Sequence, residues 1–188
     1  MGCKITSEII RGCRGNTGGI KRVLIANFED VLSVTPVISD DNTDTGFITD
    51  ITMNGGTPVP GFYRYEFNKD SSAFTQAFAQ DLPSGTGGWT QTINLVFAKN
   101  EASKRNSIKM LGQNNTAIIV EDRNGKYWYF GEESGMELMS VDSGSGVLMS
   151  DRNGYAITFE GRERFGAREI FDTDKATTDA LVDSLLAI

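Results

Sequence analysis

Histidine is absent from the 188 residues, cysteine occurs twice and proline four times. Without an imidazole, histidine-built metal-hydrolytic sites and the serine–histidine relay lose a component they need, and carboxylate pairs are left as the accessible acid–base machinery. No apolar run is long enough for a membrane span or a secretory leader, so no membrane partner is expected and synthesis in a reducing cytoplasm is. Cys3 and Cys13 could pair, but two free thiols or small buried apolar groups are the preferred reading in that compartment. A basic surplus is missing too. Twenty-five acidic residues against 18 basic ones give a formal charge of -7, which opposes adhesion to nucleic acid and to anionic membranes.

What is present is glycine and phenylalanine, 21 and 11 residues, in short strand-like runs punctuated by turns. One turn is written twice: Asp122-Arg-Asn124-Gly125 leads into Lys126-Tyr-Trp-Tyr-Phe130, and Asp151-Arg-Asn153-Gly154 into Tyr155-Ala-Ile-Thr-Phe159. Asn-Gly accepts the positive φ angles of a two-residue hairpin turn, so both pairs are expected to be tight turns on which the fold depends. The chain is long enough for one domain with a real core, and the pattern predicts a mainly β, two-sheet sandwich or partial barrel with one flanking helix.

Residues 1–19, with Gly12, Gly15, Gly18 and Gly19, read as an N-terminal arm, 20–171 as the β domain, and 172–188 as a C-terminal helix or arm. In the domain, Val23–Phe28 faces a core, and Pro36 marks an edge or a break. Residues 39–57, a polar stretch followed by a short strand at Phe47–Met53, read as a long protruding hairpin or loop that does not carry the fold. Tyr63, Tyr65 and Phe67 share one face of a strand. Residues 72–80 and 89–97 read as partners, with Ile93, Leu95 and Phe97 inward. A helix is expected at about 101–111, capped by Asn100 and stopped by Gly112, and Ile118–Val120 should be covered on both faces. The terminal helix would start at Asp172 or Thr173 with a stripe of Ala180, Leu181, Leu185 and Ile188, docking on its own sheet or on another subunit.

Several patterns suggest chemistry and fall short of it. Asp40, Asn42 and Asp44 alternate as in a calcium loop, but the glycine comes one place late and Ile51 stands where a bidentate glutamate belongs. Met1-Gly2-Cys3-Lys-Ile-Thr6 meets a permissive myristoylation pattern that has meaning only in a eukaryotic cell. Glu132-Glu133 offers two carboxylates, yet adjacent side chains at a strand end point apart, so a solvated turn is preferred over a glycosidase pair. The sequon Asn114-Asn115-Thr116 is idle without secretion. No metal, cofactor or catalytic residue is expected, and the chain is read as a structural protein rather than an enzyme.

The order of short strings is itself informative: Gly18-Gly19-Ile20, Tyr63-Arg-Tyr-Glu-Phe67, Trp89-Thr-Gln-Thr-Ile-Asn-Leu95, Ile108-Lys-Met-Leu111, then the two Asn-Gly segments. Over about residues 18–162 this layout resembles major tail tube proteins of long-tailed bacteriophages, most closely the type found in phages of Bacteroidota. The resemblance implies a subunit of stacked hexameric rings whose inner sheets form a continuous barrel around genomic DNA, synthesised in a bacterial host and residing in the virion tail. It implies other tail proteins, such as the terminator and tape measure, as partners, and DNA held without specific binding. The loop bearing Asp40, Asp41, Asn42, Asp44 and Phe47 becomes the candidate contact between stacked rings. Two other readings stay open: a head-to-tail connector or other virion ring, and a carbohydrate-binding sandwich in which Trp89, Trp128 and Tyr129 stack on sugar.

Overall fold

The computed structural model describes residues 15–38, 44–56, 59–68, 70–81, 83 and 85–187. Cys3, Cys13 and the rest of 1–14, together with Asp40, Asp41, Asn42 and Ile188, lie outside the described residues.

The chain is mainly β. Its strands are β1 (Ile20–Asn27), β2 (Val31–Ile38), β3 (Asp44–Met53), β4 (Tyr63–Tyr65), β5 (Ala73–Asp81) and β6 (Thr86–Ala98). Helix α1 (Ala102–Leu111) follows, then β7 (Thr116–Asp122), β8 (Tyr127–Phe130), β9 (Glu137–Gly144), β10 (Gly154–Glu163), β11 (Arg168–Ile170) and α2 (Lys175–Ser184). Seven strands, in the order β2-β3-β11-β8-β7-β1-β4, form one sheet and β5-β6-β10-β9 the second, and one of the two curls into a half-barrel.

Alternation along the strands builds two apolar layers. Val23 and Ile25 of β1 and Ile118 and Val120 of β7 pack with Ile93, Leu95, Ile157 and Phe159 of the smaller sheet, and Ile108 and Leu111 of α1 join them. The intervening residues Leu24, Ala26, Ala117 and Ile119 point the other way, into a layer with Ile48, Ile51, Tyr129, Ile170 and Val182. Every residue of β7 is therefore buried, as expected for a strand apolar on both faces. The β5–β6 pairing and the inward set Ile93, Leu95 and Phe97 also match the sequence. Pro36 lies in β2, the outer strand of its sheet, between two register irregularities, an edge position where a residue without an amide is tolerated.

The terminal helix docks on its own chain. Asp174, rather than Asp172 or Thr173, caps it through a reciprocal capping box with Thr177. Its buried residues are Thr178 and Val182, with Leu185 just beyond, while Ala180 is exposed. After it the chain is pinned to Phe62, whose amide donates to the Leu185 carbonyl at 2.8 Å and whose carbonyl accepts from the Ala187 amide at 3.0 Å. At α1 the capping position is Glu101, and the Asn100 side-chain amide is engaged elsewhere, its Nδ2 donating to the Gly144 carbonyl at 2.9 Å.

Residues 44–53 contain the strand expected at 47–53 but correct its protruding role outside the core. They form β3, paired antiparallel with β2 and parallel with β11, and Ile48 and Ile51 are core residues. The two Asn-Gly segments also differ from two tight turns and from each other. Asp122 and Lys126 close a three-residue loop: the Gly125 amide donates to the Asp122 carbonyl at 3.1 Å, the Asp122 amide to the Lys126 carbonyl at 2.9 Å, and Gly125 takes φ +79°. This is a type I turn with a glycine bulge. Asn153-Gly154 is no turn at all. β9 ends at Gly144, a nine-residue connection follows, and Gly154 is already in β10, opposite Ala98 and Gly144.

Candidate functional site

Among the described residues, the smaller sheet has one covered face and one bare face. Cross-strand partners share a face, so the register assigns each side chain. Phe74, Ile93, Leu95, Ile157 and Phe159 point into the sandwich. The bare face collects Ala73, Thr75, Ala77 and Ala79 from β5, Thr90, Thr92, Asn94 and Val96 from β6, and Ala156, Thr158 and Glu160 from β10. None of these is buried, and apart from Val96 the side chains are small or polar and offer little apolar area that would demand a cover. Thr158 donates to Asn94 Oδ1 at 2.8 Å across the strands. Asp81, Glu137, Asp142 and Glu160 bring carboxylates to this face, set against Arg162 and, from the neighbouring connection, Arg152, which meets Asp142 at 2.6 Å. The balance is acidic.

Among the described residues, both edges of this sheet are open, β5 and β9 being its terminal strands. Apolar groups on the core-facing side stay wet there. Val141 sits across from Ile157 yet is 45% exposed, and Phe78, across from Trp89, is 54% exposed, whereas Ile157 and Leu95 in the middle strands are buried. All three pairings within the sheet are antiparallel, so β5 and β9 run in opposite directions.

Buried polar groups hold this sheet to the rest. Gln91 donates to the Phe165 carbonyl and accepts from the Gly131 amide, both at 3.1 Å. The Glu163 carboxylate accepts from the Glu133 and Ser134 amides at 3.0 and 3.1 Å. Burial pushes the Glu163 carboxyl above the ordinary glutamate range, against the pull of those amides. Glu132, expected in a solvated turn, is instead ion-paired with the buried Arg168, which also reaches Asp44 at 2.5 Å and stacks over the Phe165 ring. Burial raises the Glu132 carboxyl although Arg168 opposes it. At Asp44 burial acts in the same sense but is outweighed by the Gly46 amide and Arg168, which hold the carboxyl below the usual aspartate range.

The sequence-derived candidates are thus dispersed. Asp44 anchors the start of β3, and Phe47 packs on Phe171 with ring centroids 6.0 Å apart. Asn124 grips the segment entering β1, accepting from the Thr17 amide at 2.9 Å and donating to the Thr17 carbonyl at 3.1 Å. Asn153 Oδ1 accepts from the Asn100 backbone amide at 3.3 Å. Trp89 belongs to β6, while Trp128 and Tyr129 are neighbours on β8 that enter different apolar layers, so the three aromatics share no surface. The cleft between β1 and α2 is rich in charge but internally matched: Arg22 bonds Glu121 at 3.1 Å, Asp183 at 2.9 Å and the Tyr127 hydroxyl at 2.8 Å, and Tyr127 donates to Asp179 at 2.7 Å. Among the described residues, no group of three or more Cys, Asp or Glu side chains is arranged to hold a metal ion, and no helix is long and apolar enough to cross a membrane. The open edges were hidden from sequence reasoning because an edge strand and an inner strand of this sheet carry the same alternation. The wet Val141 and Phe78 become informative only once strand order is known. No protein-family model, curated protein or solved structure matches the chain.

Proposed function

We propose that the chain is a virion structural protein, the major tail tube subunit of a long-tailed bacteriophage, assembling as stacked hexameric rings around a DNA-conducting channel. The observation that carries this reading is the four-stranded sheet, open at both edges and bare on a small, polar, acidic face. Oppositely directed edge strands let β9 of one copy pair antiparallel with β5 of the next around a rotation axis, so the ladder continues without a break and no edge remains. In that arrangement Val141 and Phe78 enter a shared core, and the bare face lines the channel. Carboxylates on such a lining repel phosphate, so DNA passes without being gripped. Terminator and tape measure proteins are the implied partners at the tube's end and in its lumen.

The edge-pairing step is tested with Val141→Lys. The side chain is exposed in the free chain, so the variant should melt within a few degrees of wild type, while an inward charge at the edge should prevent ring closure. Rings of normal size from this variant, seen by negative-stain microscopy, would remove the support. A head-to-tail connector uses the same open sheet but stops at one ring, and tubes distinguish the two.

A further inference from the structure

The dipeptide Asn-Gly occurs three times, at Asn54-Gly55, Asn124-Gly125 and Asn153-Gly154. In this pair an asparagine side chain reacts readily with its own backbone, because glycine puts no Cβ in the way of its nitrogen approaching the preceding side-chain carbonyl. Exposure does not rank the three, since Asn124 and Asn153 are exposed and Asn54 only partly so. The state of the attacking amide does.

At Asn124 both reacting groups are held. The Gly125 amide donates to the Asp122 carbonyl at 3.1 Å, while the Asn124 side chain accepts from the Thr17 amide and donates to the Asn16 side chain, both at 2.9 Å. After Asn153 the next residue is a buried member of β10, opposite Ala98 and Gly144 and packed on the Phe97 carbonyl. The Asn153 carbonyl accepts from the Lys99 amide at 2.7 Å, which fixes that peptide as well. Asn54 differs. Gly55 and Gly56 are exposed and outside any strand, and the Gly55 amide has no acceptor among the described residues. A Cβ placed on Gly55 would meet nothing within 4 Å, so its surroundings are open.

Asn54 also fastens a corner of the fold. Its backbone amide donates to the Asp30 carbonyl and its Nδ2 to the Glu29 carbonyl, both at 2.8 Å, which ties the end of β3 to the single turn Phe28–Asp30 that leads into β2. A carboxylate at this position cannot donate, and it brings a further negative charge to a turn that already carries Glu29 and Asp30.

We propose that Asn54 is a modification site at which the chain deamidates spontaneously, and that the change unfastens β3 from the Phe28–Asp30 turn. The Gly55 nitrogen gives its proton to solvent and attacks Asn54 Cγ. The new N–Cγ bond forms, the Cγ–Nδ2 bond breaks, and Nδ2 takes a proton from solvent and leaves as ammonia. Water then adds to one of the two carbonyls of the cyclic imide and reopens it as aspartate, or as isoaspartate with the main chain running through Cγ. The sum exchanges water for ammonia, with no oxidation or reduction. Neither the reaction nor its consequence depends on how copies of the chain assemble.

The test incubates the wild-type protein at mildly alkaline pH, folded and in denaturant, and follows conversion at each of the three asparagines by peptide mapping with mass spectrometry. The readout is the ratio of folded to denatured rate at each site. Asn124 and Asn153 must await local opening, so their ratios should lie at least about tenfold below that of Asn54. A ratio at Asn54 no higher than at the other two overturns the assignment. Gly55→Ala, whose methyl has room, should keep the wild-type melting temperature and suppress conversion of Asn54, and conversion at the wild-type rate would overturn the imide route. Asn54→Asp should melt below wild type. An Asn54→Asp protein as stable as wild type would overturn the unfastening.

Discussion

Gly154 lies against the backbone of Phe97: a Cβ placed on it would sit 2.0 Å from the Phe97 carbonyl oxygen. Gly125, in the related segment, meets only the end of the Lys175 side chain, at 3.3 Å, but holds φ +79°. The same dipeptide therefore needs glycine for two different reasons. Gly125→Ala should cost about 1–2 kcal/mol from left-handed strain. Gly154→Ala should cost about 1–3 kcal/mol from the clash and rank as the worse of the two, with Gly154→Val more severe again. Chemical denaturation orders them, and a harmless Gly154→Ala would mean that β10 and β6 are not in this register.

Ile48 is wholly buried and Ile51 nearly so. Replacing either by alanine should lower stability by about 2–5 kcal/mol, and replacing all of β3 by a short linker should unfold the chain. Unchanged melting of Ile48→Ala would return the segment to a purely external role.

The Arg168 clasp joins β3 to the segment after β8. Arg168→Ala removes a buried cation from Asp44 and Glu132, which are partly open to solvent, so the loss should fall near the low end of buried pairs, about 3 kcal/mol. Arg168→Lys should recover little, because an ammonium cannot fork between two carboxylates. Full rescue by lysine, measured by urea unfolding, would reduce the clasp to a point charge.

Glu163 should leave a pH signature opposite to that of a salt-bridged aspartate. Its carboxyl is raised in the folded chain, so its contribution is fully present below the ordinary glutamate range and is lost as pH rises through the raised value. The melting temperature of wild type minus that of Glu163→Gln should therefore fall from mildly acidic to neutral pH. A difference that is flat or that grows with pH contradicts the buried placement.

Much of the fold was legible in the sequence, and what was missed has a common cause. Period-two alternation gave the β5–β6 pair and its inward face, and the double apolar run of Ile118–Val120 marked a strand covered twice. Local signals failed where a partner distant in sequence decided the outcome. Asn153-Gly154 looks like a turn, but β6 takes Gly154 into its ladder. Asp44 reads as a solvated loop residue until Arg168, 124 positions away, reaches it. Residues 44–53 read as an excursion because their polar lead-in is visible locally, whereas pairing with β11 is not. The candidate assembly sheet was legible as alternating strands, and its open edges were not, since strand order is a property of the folded chain.

The central claim, that this sheet is completed by copies of the same chain, is tested most directly by the size and shape of the purified protein. Sedimentation velocity with negative-stain microscopy, across a rising concentration series, should show rings of about six subunits with a central opening, then stacks of such rings. A single 20.5 kDa species that persists at the highest concentration, with no rings on the grid, would contradict it.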